Sequence, residues 1–163
     1  MEESGNASAP QPNLQQKLWE LVDREFRGAR RYRLDEVLQT AEANGINVTW
    51  EDLRRISGLW SGEPAVTPTF VTDFLSAYSL DLNPSSALDP WAGIGSTLIP
   101  IVKKGGISEA TGIVLRTDEL AVAQRMAAEL QVKWISGRAA SVLPSLSDFD
   151  LVVSSPPFGL QSR

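Results

Sequence analysis

Ala87-Leu-Asp-Pro-Trp-Ala-Gly-Ile-Gly95 is the stretch on which the fold turns. Two apolar residues run into a carboxylate, and glycines follow at 93 and 95. Glycine accepts the left-handed backbone that a tight turn needs, and it leaves no side chain between the backbone and a ligand. Ser96 to Lys103 then reads as a helix, so the segment is strand, turn, helix, with the helix N-terminus aimed at the turn. Such a turn suits a nucleotide-like ligand lying over strand ends. By itself it also fits a dinucleotide site or a plain strand-to-helix junction.

Working outward, three more short apolar segments recur at α/β spacing: Ala110 to Leu115, Val132 to Ser136 and Phe149 to Ser154. Asp118 to Leu130 is a helix candidate between them, and Thr67-Pro68 opens another through Phe70, Val71, Phe74, Leu75 and Tyr78. Strands alternating with helices predict a parallel sheet in an α/β fold. Asp150-Leu-Val-Val153 is apolar without alternation, the pattern of a central strand covered on both faces.

Upstream, the pattern is helical. Residues 1–13 read as a disordered leader and 14–62 as a helical N-terminal region, leaving 63–163 for the α/β part. Leu14, Leu18, Leu21, Val22 and Phe26 share one helical face, as do Leu34, Val37, Leu38 and Ala41. Asn44-Gly45 supplies a left-handed stop. Thr49 with Asp52 three residues on predicts a capped third helix through Leu53 and Ile56. This cadence fits a small helical bundle or a helix-turn-helix reader of DNA. Arg27, Arg30, Arg31 and Arg33, with Arg54-Arg55, fit phosphate contacts or a solvated helical face.

Composition narrows the chemistry. The chain has no cysteine and no histidine, which excludes disulfides, thiol nucleophiles, histidine bases and the usual zinc sites; no metal is expected. A net charge of −5 argues against nucleic-acid binding by bulk electrostatics and leaves room for a local basic strip. No apolar run reaches the roughly 20 residues of a membrane span, and the N-terminus lacks a signal-peptide pattern, so no membrane partner and a cytoplasmic location are expected.

The most specific segment is Ser155-Pro-Pro-Phe-Gly159. Two prolines fix the backbone and remove two donors, leaving outward carbonyls. A rigid carbonyl and the Ser155 hydroxyl can accept hydrogen bonds from an exocyclic amine. Phe158 offers a face for stacking a base, worth about 1–3 kcal/mol.

Taken in order, these motifs resemble those of the S-adenosylmethionine-dependent, amino-methylating DNA methyltransferases, above all the adenine-specific methylases of restriction–modification systems. The resemblance runs from about Pro64 to Phe158. It implies a partial Rossmann-like class I methyltransferase core of four parallel strands. S-adenosyl-L-methionine would be held by Thr67 and Pro68 and by the loop Asp89, Pro90, Trp91, Ala92, Gly93 and Gly95, with Trp91 where the family commonly has Phe. Ser155, Pro156, Pro157 and Phe158 match its catalytic tetrapeptide. The implied partner of the full-length protein is DNA, with the target adenine flipped out because its amine is unreachable while stacked. Restriction–modification subunits are further implied partners.

The resemblance also implies two acidic residues that this chain lacks. One would follow Gly112-Ile113 and grip the ribose; Val114 stands there, with Asp118 and Glu119 the nearest carboxylates. The other would follow Gly137, where this chain has Arg138. Losing both would cost several kcal/mol of affinity, at about 1.5–3 kcal/mol for each charged hydrogen bond. Because the sequence stops soon after the tetrapeptide, the chain is expected to be an N-terminal part that is inactive alone. Two alternatives stay open: an RNA methyltransferase acting on a guanine amine, and a degenerate, non-catalytic interaction module.

Overall fold

The computed structural model describes residues 14–26, 34–58 and 66–156. Three helices come first: α1 (Leu14–Phe26), α2 (Leu34–Ala43) and α3 (Trp50–Gly58). Gly45 lies just beyond α2 with φ of 68°, as the Asn44-Gly45 stop predicts. The capping of α3 also agrees with the sequence. The Asp52 amide donates to the Thr49 hydroxyl at 3.2 Å, while Asp52 Oδ2 accepts from the Thr49 amide at 3.0 Å. Two orphan donors are thereby satisfied reciprocally.

The apolar faces of these helices form one cluster through Leu18, Leu21, Val37, Leu38, Leu53 and Ile56. Ile94 and Val122 belong to the same cluster. The helical region therefore shares a core with the α/β region. Arg27 to Arg33 lie outside the described residues, whereas Arg54 and Arg55 are exposed and both reach Glu51 on their own helix, at 2.6 and 3.3 Å.

Next come α4 (Thr69–Leu82), β1 (Ser86–Asp89), α5 (Leu98–Gly105), β2 (Glu109–Val114), α6 (Thr117–Met126), β3 (Val132–Ser136), α7 (Ala139–Val142), a 3₁₀ turn Leu143–Ser145 and β4 (Leu151–Val152). The strands form one parallel sheet in the order β3-β2-β1-β4. A second apolar cluster under it joins Ala87, Ala110 and Val153 to Leu98, Ile101 and Val102 of α5.

Several boundaries differ from the sequence reading, each for a local reason. Pro68 is the N-cap of α4 rather than part of it, so the helix begins at Thr69. The first turn of α5 begins at Leu98, after Ser96 and Thr97 have become engaged with Thr67. The helix expected to reach Leu130 ends at Met126 and passes into a turn. The fourth strand is only two residues long and lies at the end of the sheet, with Val152 exposed. Among the described residues it is an edge strand with no partner on its far side, and the face that carries Val152 is open.

Asp150 sets where β4 lies. Its Oδ2 accepts from the amides of Ser85 and Ser86 at 2.9 and 3.0 Å and from the Ser86 hydroxyl at 3.1 Å. Those donors hold its carboxyl below the usual range. The clamp pins the start of β4 to the start of β1, so both strands deliver their ends to the same edge.

Candidate active site

All four strands point the same way, so their carboxyl ends bring four connections together: the glycine turn after β1, Leu115-Arg116 after β2, Gly137-Arg138 after β3 and Ser154-Ser155-Pro156 after β4. β1 is followed in sequence by β2 on one side, while β4 lies on its other side. The strand order therefore reverses between β1 and β4. In open α/β sheets such a switch point is where a ligand crevice forms.

Asp89 stands at that point, 1% exposed. Its Oδ1 accepts from the Trp91 amide at 3.1 Å, which folds the carboxyl back under the turn. Its Oδ2 has no hydrogen-bond partner among the described residues, and neither does the buried Ser154 Oγ from the β4 end. Burial pushes the Asp89 carboxyl up to about 6, opposed by the Trp91 amide and the nearby Ser154 hydroxyl. The Ser154 hydroxyl is close enough to act on the carboxyl, but the two atoms share no full hydrogen bond, which leaves polar capacity at adjacent strand ends for a ligand to complete.

The turn itself is held from three sides. The Ala92 amide donates to Ile113 O of β2 at 3.0 Å, and the Gly95 amide to Ala92 O at 2.7 Å. Gly93 has φ of 52°, and a β-carbon there would meet nothing within 4 Å. Its backbone faces open space, as a ligand-facing glycine should. Gly95 is different: with φ of 81°, its β-carbon would lie 2.6 Å from Ile99 Cδ1 and 3.0 Å from Trp134 Cη2. Gly93 opens the turn; Gly95 closes it onto the core.

Trp134 is the residue that the sequence does not single out. A β-carbon at Gly112 would stand 2.3 Å from its Cζ3 and 3.1 Å from Ala92 Cβ. The indole thus crosses from β3 over β2 and supports the turn from beneath. The signal is weak: Gly112 is a glycine inside a strand, a feature that often marks a close approach.

Thr67 reaches the same turn from upstream. Its amide donates to Ser96 Oγ at 3.1 Å, and its hydroxyl pairs with that of Thr97 at 2.6 Å. These bonds brace the turn against the start of α4. Pro68 and Trp91 are exposed, while Pro90 and Ala92 are buried. Ser155 and Pro156 are exposed beyond β4, and Pro157 and Phe158 lie outside the described residues. A groove of about 240 Å³ opens beside the turn rather than over the strand ends, lined by Thr67, Ser96, Trp50, Thr72, Pro100 and Lys103.

The two substituted acidic positions stand where the sequence places them. Val114 ends β2, is wholly buried and pairs in register with Ser136, and the Gly137 amide donates to its carbonyl at 2.9 Å. Arg138 is exposed at the N-cap of α7. Asp118, in the first turn of α6, is held 2.5 Å from Arg116, whose guanidinium keeps its carboxyl below the usual range.

This arrangement is the fold of Rossmann-like methyltransferases. The described chain is similar to a methyltransferase from Geobacter sulfurreducens, with a TM-score of 0.54 and 17% identity over 69% of this chain and 63% of that one. A putative caffeoyl-CoA O-methyltransferase from Staphylococcus aureus gives 0.54 and 18%, over 73% and 58%. An O-methyltransferase from Bacillus cereus, solved in complex with SAH, gives 0.51 and 16%, over 83% and 59%. The chain spans less than two thirds of each of these proteins. No family model and no curated protein matches the sequence. Among the described residues no helix is long and apolar enough to cross a membrane.

Proposed function

We propose that the chain carries the cofactor half and the amine-binding loop of an S-adenosylmethionine-dependent methyltransferase acting on the exocyclic amine of a flipped DNA adenine. One observation carries the reading: buried Asp89 Oδ2 and Ser154 Oγ, near each other but without a full hydrogen bond, lie where the strand order reverses, and Ser155-Pro156 emerges directly beyond them. Asp89, the Gly93 backbone and Trp91 would hold S-adenosylmethionine, with Thr67 bracing the turn through Ser96 and Thr97. When bound, that group supplies an electrophilic methyl. The residues of this chain do the rest by positioning.

The Ser155 hydroxyl and Pro156 carbonyl accept hydrogen bonds from the target amine, which raises electron density on its nitrogen. Pro157 keeps the carbonyl from rotating away, and Phe158 stacks on the base. No histidine or cysteine base is called for. An amine rather than a hydroxyl substrate is supported by the proline-locked acceptors, since neither can take a proton from an alcohol.

Calorimetric titration with S-adenosylmethionine tests the cofactor. Binding is expected, weakened about tenfold or more by Asp89→Asn through loss of a charged hydrogen bond. Tritium transfer from labelled cofactor tests the substrate: the chain alone is expected to transfer none, and the full-length protein is expected to place label on adenine N6 in DNA, abolished by Pro156→Ala. Label on RNA guanine would move the reading to the RNA enzymes.

A second reading has its own support. Val114 is sealed in the core and Arg116 holds Asp118, so no carboxylate is presented directly from the end of β2. A non-catalytic module with this fold would give no heat even at millimolar ligand.

A further inference from the structure

Helix α4 is turned inside out. Its buried face is Thr72, Ser76 and Ser79, small hydroxyl residues that lie close to α5. Thr72 and Ser76 return their hydroxyls to carbonyls one turn back, at 2.9 and 2.6 Å. A β-carbon on Gly105 of α5 would come within 2.9 Å of Ser79 Oγ, so the two backbones approach closely there. Its outward face carries Phe70 (76% exposed), Phe74 (70%), Tyr78 (54%) and Leu82 (52%), successive i, i+4 positions on one ridge.

With ~150–250 Å² available per aromatic side chain, this ridge presents on the order of 500 Å² of apolar surface. That reaches the largest patch a typical monomer exposes, about 300–600 Å². With its rim it approaches the ~800 Å² per partner of a stable interface.

The electrostatics of the helix say what covers it. The N-terminus of α4 has Pro68 as its N-cap, no side-chain cap and no acidic residue in the first turn. Its last turn carries Asp81 and no basic residue. The first end is left uncompensated, and Asp81 at the other opposes the helix dipole. An antiparallel second copy corrects both at once. Centred near Ser76, such a pair sets Phe74 against the partner copy's Tyr78, and sets Asp81 beside the uncapped first turn of the other helix. We infer that the Phe70–Leu82 ridge of α4 is a two-fold interface between copies of this chain. This inference does not depend on the proposed reaction.

Sedimentation of the full chain over a concentration series tests it. A monomer–dimer equilibrium in the micromolar range is expected, weakened at least about tenfold by Phe74→Glu and again by Asp81→Lys. The side chains are exposed, so far-ultraviolet circular dichroism is expected to stay unchanged. Because the chain has no cysteine, Ala77→Cys supplies a second readout. Near a two-fold axis it forms an intermolecular disulfide on mild oxidation, whereas Glu129→Cys, away from this face, does not. A chain that stays monomeric to roughly 100 µM overturns the inference. So does a dimer that ignores Phe74→Glu and is not cross-linked through Ala77→Cys.

Discussion

Asp89 carries a cost that its position explains. Its folded value of about 6 lies above the ordinary 3.8 because burial disfavours the ionised form. A raised acid favours the fold fully below 3.8 and loses that contribution as pH rises through about 6. The gap corresponds to about 3 kcal/mol carried against the fold at neutral pH and above. Asp89→Asn keeps an acceptor for the Trp91 amide and removes the charge. It is expected to raise the melting temperature at pH 8 and to flatten its dependence between pH 4 and 7, while weakening cofactor binding. Thermal melts across that range check this, and an unchanged pH profile in the variant would refute the assignment. A residue kept at a stability cost fits a binding role. The sequence alone puts Asp89 at the site. It does not say that one oxygen is satisfied by Trp91 and the other left open beside Ser154, because that depends on where β4 ends.

At the scale of elements, the supports of the glycine turn make a second prediction. Gly112→Ala puts a β-carbon 2.3 Å from the Trp134 ring, and ring and strand are both too confined to yield freely. Overpacking of this kind costs about 1–3 kcal/mol. Trp134→Leu alone leaves a void, but combined with Gly112→Ala it should recover part of the loss, giving a coupling of about 1 kcal/mol or more in a denaturant double-mutant cycle. Simple additivity would mean that the indole does not occupy that space. A third prediction concerns α3: Asp52→Ala removes the carboxylate half of the reciprocal cap, which accepts from the Thr49 amide and hydroxyl, and leaves the backbone half; it should cost about 1 kcal/mol in urea unfolding. Strands β1 to β3, the cap on α3 and the stop after α2 are legible in the sequence because each rests on local residue types. The illegible features rest on contacts far apart in sequence: the Trp134–Gly112 contact, the hydrogen bonds from Thr67 that delay α5, and the direction in which α4 turns its aromatic ridge. Helical periodicity gives a face without saying whether core or solvent lies against it.

At the scale of the whole molecule, the N-terminal helices are either an appendage or part of the core. The sequence divides them from the α/β region near residue 62, but α2 packs along α6, and Arg125 of α6 reaches Glu42 of α2 at 2.5 Å. Val122 of α6 and Ile94 of the glycine turn are buried in the same cluster as Val37, Leu38 and Leu53. Stripping the helices away would expose Val122 and Ile94, each about 1% accessible, and would remove a wall from the glycine turn. The two regions should therefore unfold together. Urea denaturation followed by circular dichroism and by tryptophan fluorescence is expected to give coincident transitions, the mark of two-state behaviour. Val122→Ala tests the coupling directly. It lies in the α/β region, yet it should shift the fluorescence transition, to which Trp19 and Trp50 of the helical region contribute, by the same amount as that read by circular dichroism, about 1–3 kcal/mol for deleting two buried methyl groups. A helical transition that stays in place while the rest of the protein is destabilised would make the region an independent unit. It would also remove the physical route by which the N-terminal helices hold the glycine turn in position.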